Sequence, residues 1–402
     1  MRTNAGNWLE VAEKVYHYRR DVLAAPLLSE LLARMQALRQ ALKDRADAAK
    51  LKLAIEALED VLRRTGGKIY PKSSLVENVE FFLVAAIVIL GIRTYFVQPF
   101  KIPTNSMWPS YHGMTGEVFK STSEEPGFVA QGFRFVTELA KPIRIDAPAE
   151  GEVSIVFNTA SGRAAFRDVP GRKWFVIPTT LREYQLNVGG AVVPVRVPAD
   201  FDLDRVLQEA FFDGLDGYPR GRAVNGTLGL LRTGKRVARG ERVLSFDILT
   251  GDQLFVDRMS YHFVRPKIGD GFVFRTGHLP ELHAMIPGSP KDQYYIKRLV
   301  GGPGDSLEIR DYALLRNGEP IEGSPAFDLN AKREGRYPGY RNEGRMYEGS
   351  KLEVPADRYA AFGDNSASSL DSRFWGTIPA KDVVGRPLLI YYPFTRRWGP
   401  AP

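Results

Sequence analysis

Residues Pro99–Tyr111 read Pro-Phe-Lys-Ile-Pro-Thr-Asn-Ser-Met-Trp-Pro-Ser-Tyr and set one serine, Ser106, between two prolines. Pro103 and Pro109 fix their own φ and push Ile102 and Trp108 towards extended backbone, so Ser106 is held in an irregular segment. A second hydroxyl, Thr104, lies two residues earlier. A serine held this way can act as a nucleophile beside an oxyanion donor, although most serines between prolines are loop serines. The nucleophile also needs a base, and the sequence offers no Ser/His/Asp arrangement. A lysine can be that base only when uncharged, which requires burial to draw its pKa down from about 10.4. Tyr294-Tyr295-Ile296-Lys297 is a suitable setting. In an alternating strand Tyr295 and Lys297 share a face, so the amine projects beside an aromatic ring. Taken alone, Lys297 reads more readily as a surface lysine at a strand end.

The wider pattern changes that weighting. Ile102-Pro103-x-x-Ser106-Met107-x-Pro109 is followed by Gly251-Asp252-x-x-x-Val256-x-x-x-x-Tyr261, with Gly269-Asp270-x-x-x-Phe274 after it. Then come Tyr295-Ile296-Lys297-Arg298-Leu299-Val300-Gly301-x-Pro303-Gly304-Asp305 and Gly363-Asp364-Asn365-Ser366 … Ser369-x-Asp371-Ser372-Arg373-x-Trp375-Gly376. In this order the four segments resemble the type I signal peptidases, over residues 76–112 and about 248–395. The resemblance implies a Ser/Lys dyad of Ser106 and Lys297, with Thr104 as oxyanion donor where the family commonly has serine. It implies that Ser369 hydrogen-bonds and orients the lysine amine. Asp364 with Arg298, and Asp371 with Arg373, match structural ion pairs that hold the glycine-rich turn against the lysine strand. Ser366 departs from the family's usual arginine, without loss of a catalytic group. No metal or cofactor is implied.

Those residues must be positioned by the rest of the chain, for which the expected fold class is mainly β. It comprises an antiparallel β catalytic domain of signal peptidase type, an N-terminal helical arm, one transmembrane helix and a β-rich inserted domain. The expected boundaries are 1–75 for the cytoplasmic arm and 76–100 for the transmembrane helix. The peptidase domain takes 101–112 and 248–402, and the insert 113–247.

Within the arm, residues 8–65 read as a helical hairpin or short coiled coil, with Leu28, Met35, Leu42 and Ala49 at heptad spacing. Phe81–Ile92 carries no charge, and extension through Arg93 to Phe100 gives a run long enough to cross a bilayer. Arg63, Arg64, Lys68 and Lys72 precede it, so the positive-inside rule puts the N-terminus in the cytoplasm. The insert reads as strand-rich, with runs at Gly151–Phe157, Lys173–Ile177 and Ala191–Val197 and a helix over Asp204–Asp213. Asn225-Gly226-Thr227 is a formal glycosylation sequon that reads more readily as a turn.

Composition narrows the alternatives. The 402 residues carry a net charge of +8 without runs of Lys/Arg interleaved with aromatics, which argues against nucleic acid as a partner. With no cysteine, thiol nucleophiles, thiolate metal sites and disulfides are excluded. Of the five histidines only His278 and His283 approach metal-ligand spacing, in a Gly/Pro-rich loop. By resemblance, the partners are signal-peptide-bearing preproteins and the lipid bilayer, at a bacterial cytoplasmic (inner) membrane. The insert is a candidate for binding a further protein. Two rival readings are a Ser/Lys autoprotease of the repressor type and a catalytically silent relative that acts as a binding or scaffold module.

Overall fold

The computed structural model describes residues 1–402 apart from 160, 174–176, 213–221, 226–227, 287 and 289. It divides into two units, Met1–Gly91 and Ile92–Pro402. In the first, helices α1 (Arg2–Arg19), α2 (Ala25–Lys43) and α3 (Ala48–Thr65) pack pairwise around Leu9, Leu31, Met35, Leu38, Ile55, Leu58 and Leu62. The expected hairpin is therefore a three-helix bundle. The heptad row does not run through Ala49, because α2 stops at Lys43 and Arg45 takes a positive φ of 50°. Asp47 then caps α3 by accepting the Lys50 N–H at 2.8 Å, which leaves Ala49 exposed in a new first turn.

Helix α4 (Ser74–Tyr95) is 22 residues long, has mean hydropathy 2.2 and buries none of its side chains. At 1.5 Å per residue it is about 33 Å long, enough to cross a hydrocarbon core. The expected end at residue 100 is corrected, since Val97–Lys101 is a strand. Pro99 explains the change: it cannot donate to a helix, but it sits on the outermost strand, where a missing N–H leaves no ladder bond unmade.

That strand opens an eight-stranded antiparallel sheet. In spatial order come Val97–Lys101, Gln253–Asp257, Val383–Tyr392, Gly271–Arg275, Tyr294–Gly301, Arg358–Phe362 and Ile378–Pro379, with Gly399–Pro400 added beside Val383–Tyr392. One side packs Ile102, Met107 and Tyr111 of the serine segment onto Leu254, Val256, Val273 and Ile390. A second cluster gathers Phe272, Phe274, Leu299, Trp375 and Ile378. The Gly/Arg/Tyr-rich excursion at 323–350 is anchored by Phe327, Tyr340 and Met346, which pack with Val300 and Phe362.

The insert holds a three-stranded sheet (Thr115–Val118, Arg242–Leu249, Lys141–Asp146) and a seven-stranded sheet built on Gly151–Asn158, Ile177–Val188 and Leu228–Val237. Its buried core runs from Met114 to Ile248, including Val153, Tyr184, Val195, Leu207 and Phe246, and takes no residue from outside that span. The two ends meet as neighbouring strands, with Thr115 opposite Leu249. Its described residues include two α-helices, α5 (Phe128–Glu138), which the strand-rich reading did not anticipate, and α6 (Leu203–Phe212) where a helix was expected. The expected run Lys173–Ile177 crosses residues 174–176, and Asp213 and the sequon residues Gly226 and Thr227 also lie outside the described residues.

Candidate active site

Ser106 sits in a loop closed by its neighbour. Asn105 donates through Nδ2 to the Met114 carbonyl at 3.0 Å and accepts the Gly113 N–H on Oδ1 at 2.9 Å. Gly113 permits this closure, because a Cβ there would stand 2.3 Å from the Thr104 carbonyl carbon. From the other side the Asn365 N–H donates to the Ser106 carbonyl at 3.1 Å, and Asn365 Nδ2 to the Asn105 carbonyl at 3.0 Å. Loop and glycine-rich turn are thus bonded directly to each other.

Lys297 lies mid-strand, opposite Phe272. Only 4% exposed, it carries Nζ to 2.6 Å from Ser106 Oγ and 3.2 Å from the Ile296 carbonyl. The amine also stands 5.4 Å from the centroid of the Tyr295 ring, as the shared strand face requires. Burial pushes its pKa down to about 8, against the opposing pull of Asp371 and Asp364. About a tenth of it is therefore uncharged at pH about 7 and half at about 8, and that fraction is able to accept the serine proton. Neither the Ser106 N–H nor the exposed Thr104 hydroxyl is engaged by another described residue.

Ser369 departs from expectation. It is buried, but its Oγ has no hydrogen-bond partner among the described residues, and the lysine amine is held by Ser106 and the Ile296 carbonyl instead. The hydroxyl packs against Gly363, where a Cβ would come within 2.1 Å of it and 2.4 Å of the Ser106 carbonyl oxygen. Ser369 therefore lines the back of the serine segment without orienting the amine in this structure.

The four charged residues named from the resemblance form two ion pairs in the structure. Arg298 Nε donates to Asp364 Oδ1 at 2.8 Å, and its Nη2 to Oδ2 at 2.6 Å. Arg373 Nε donates to Asp371 Oδ1 at 2.9 Å and Nη2 to Oδ2 at 3.0 Å. Both pairs are buried, so their desolvation must be offset by further hydrogen bonds. Arg298 Nη1 supplies one to the Gly269 carbonyl at 2.7 Å. Arg373 supplies others to Ser366 Oγ at 2.7 Å and to the Ser366 and Ser369 carbonyls at 2.8 and 3.1 Å. Ser366 is thus an acceptor for the buried guanidinium, where a second arginine would meet like charge.

Sequence reading missed three groups. Asn105 closes the serine loop; Ser110 donates to Asp364; Asp252 accepts the His112 N–H at 2.8 Å and Arg397 Nε at 2.9 Å. The only signal for the first two is a polar residue beside the nucleophile in a proline-bounded segment. His278 and His283 bond separately, to Asp382 at 2.7 Å and to the Lys291 carbonyl at 2.7 Å.

Comparison with known proteins bears on this site. The family model described as "Signal peptidase, peptidase S26" matches residues 243–392. Signal peptidase I of Leptolyngbya laminosa is 32% identical over 154 residues, 38% of this chain and 66% of that protein. Signal peptidase I of Bacillus licheniformis is 33% identical over 145 residues, 36% of this chain and 69% of that protein. A solved signal peptidase I from Enterococcus faecalis V583 is 25% identical, covering 31% of this chain and 97% of that one, with a TM-score of 0.23. The chain thus spans just under two thirds of the length of the first of these relatives.

Proposed function

This chain belongs to the signal peptidase family, peptidase S26, and we propose that it is a membrane-anchored Ser/Lys endopeptidase removing signal peptides from exported preproteins. The observation that carries this reading is the buried Lys297 amine at hydrogen-bond distance from Ser106 Oγ. Uncharged Lys297 takes the Ser106 proton as Oγ attacks the scissile carbonyl carbon. The tetrahedral oxyanion is held by the Ser106 N–H and the Thr104 hydroxyl, neither of which another described residue engages. Collapse breaks the C–N bond, and the lysine ammonium returns the proton to the leaving amine. Water then attacks the acyl-serine with Lys297 again accepting a proton, releasing the signal peptide as a carboxylate and restoring the serine hydroxyl. No step calls on a metal or cofactor.

Helix α4 would anchor the enzyme beside the emerging substrate, with Arg63, Arg64, Lys68 and Lys72 on the cytoplasmic side and residues after α4 outside. The full-length protein in detergent, incubated with a signal-peptide-bearing precursor, should yield one new N-terminus by sequencing. Ser106→Ala and Lys297→Ala should yield none. Lys297→Arg should also fail, since guanidinium keeps its proton. Substantial cleavage by Lys297→Arg would remove the lysine as base. A parent protein that cuts no precursor and resists serine-directed acylating inhibitors would favour the silent scaffold instead.

A further inference from the structure

Trp108, two residues beyond Ser106, is approached by arginines from two segments far apart in sequence. Arg205 of α6 places Cζ 5.2 Å from the indole centroid, and Arg336 of the 323–350 excursion places its own at 5.5 Å. Arg205 is fixed by its helix, whose Leu203, Val206 and Leu207 are buried in the core of the insert. Through Arg205 the insert therefore reaches Trp108, two residues past Ser106.

Both guanidinium groups are exposed, and neither is within salt-bridge distance of a carboxylate among the described residues. Asp202, the acidic neighbour that Arg205 acts on, is paired with Arg163 at 3.1 Å. Stacking on the indole holds two exposed cations beside one ring, and their combined positive potential favours an incoming carboxylate.

We infer that Trp108, Arg205 and Arg336 form a subsite for an acidic side chain, an Asp or Glu lying a few residues past the scissile bond of the preprotein. The inference rests on the peptidase reading. With the signal peptide running in the same direction as Val97–Lys101, the strand that enters the serine loop, Trp108 falls past the scissile bond.

The test uses the full-length protein in detergent and synthetic precursors that differ only just past the cut, carrying acidic, neutral or lysine residues. Cleavage of the acidic precursor should be faster than of the neutral one by about twofold to fivefold in kcat/KM, as for an exposed charge pair. The ratio should shrink in high salt. In Arg205→Gln/Arg336→Gln it should fall to about one. In Arg205→Glu/Arg336→Glu the lysine precursor should become the preferred one, a gain that misfolding cannot produce. A ratio of one in the parent, an unchanged ratio in the glutamine variant, or a preference for acid placed before the cut would each overturn the subsite. Failure to cut any precursor would instead strike down the peptidase reading, and the subsite with it.

Discussion

Ser110 donates its hydroxyl to the Asp364 carboxylate and accepts from Arg298 Nη2 at 3.1 Å, so the loop bearing Ser106 is fastened to the residue that follows Lys297. Ser110→Ala keeps the Arg298–Asp364 pair but releases the loop from it. Stability should fall by about 1–3 kcal/mol, as for a lost buried hydrogen bond. Turnover should fall by about tenfold, because small misplacements of a nucleophile are costly. Thermal unfolding and kcat would report both, and unchanged turnover would show that the loop holds its place without this bond.

The cleavage rate should rise with pH through an inflection near 8, since only the uncharged amine of Lys297 accepts the serine proton. A profile flat from neutral to alkaline pH would contradict a desolvated lysine.

The same burial has a thermodynamic side. The folded pKa of Lys297, near 8, lies below the unfolded value, so the unfolded chain binds more protons between the two and stability rises with pH across that window. Below it, the buried charge costs about 3 kcal/mol relative to alkaline solution. Lys297→Met should therefore be more stable than the parent at pH about 7, with the advantage fading as pH approaches about 10.4. Denaturant unfolding at the two pH values decides it; a gap that does not change with pH would mean that the amine is solvated.

Thr104→Val should lower turnover by about 10²-fold with little change in KM, as for one oxyanion donor. Turnover equal to that of the parent would take Thr104 out of the mechanism.

Replacing residues 115–249 by a short Gly/Ser linker should leave cleavage of a small model substrate within about tenfold of the parent, because Thr115 and Leu249 are already strand neighbours. Complete loss of cleavage in a deletion variant shown to be folded would mean that the insert completes the site.

The antiparallel β class of the peptidase part was legible because its strands are short and separated by turn residues, and some, such as Ser306–Arg310, alternate buried and more exposed positions. Ser106 and Lys297 were legible only through ordered motifs, since no local pattern joins residues 191 apart. Ser110, Asn105 and Arg205 escaped because their roles arise from contacts across the fold. Helix α5 escaped because Phe-Val-Ala-Gln-Gly-Phe-Arg-Phe-Val mixes β-branched and aromatic residues with an internal glycine, and its phenylalanines stay exposed. The end of α4 was misplaced because hydropathy continues past Tyr95 while Pro99 forbids the helix to follow it.

The separation of Ser106 from Lys297 also orders events in time. During synthesis the serine loop leaves the ribosome first, the whole insert next and the lysine strand only afterwards. Arg358–Phe362, which flanks that strand, comes later still, with the Gly363–Gly376 turn that bonds the loop from behind. Until then the lysine is solvated and charged, and the serine has no base. Under the proposed mechanism, translation order thus presents the nucleophile well before its base and sets when the two can meet.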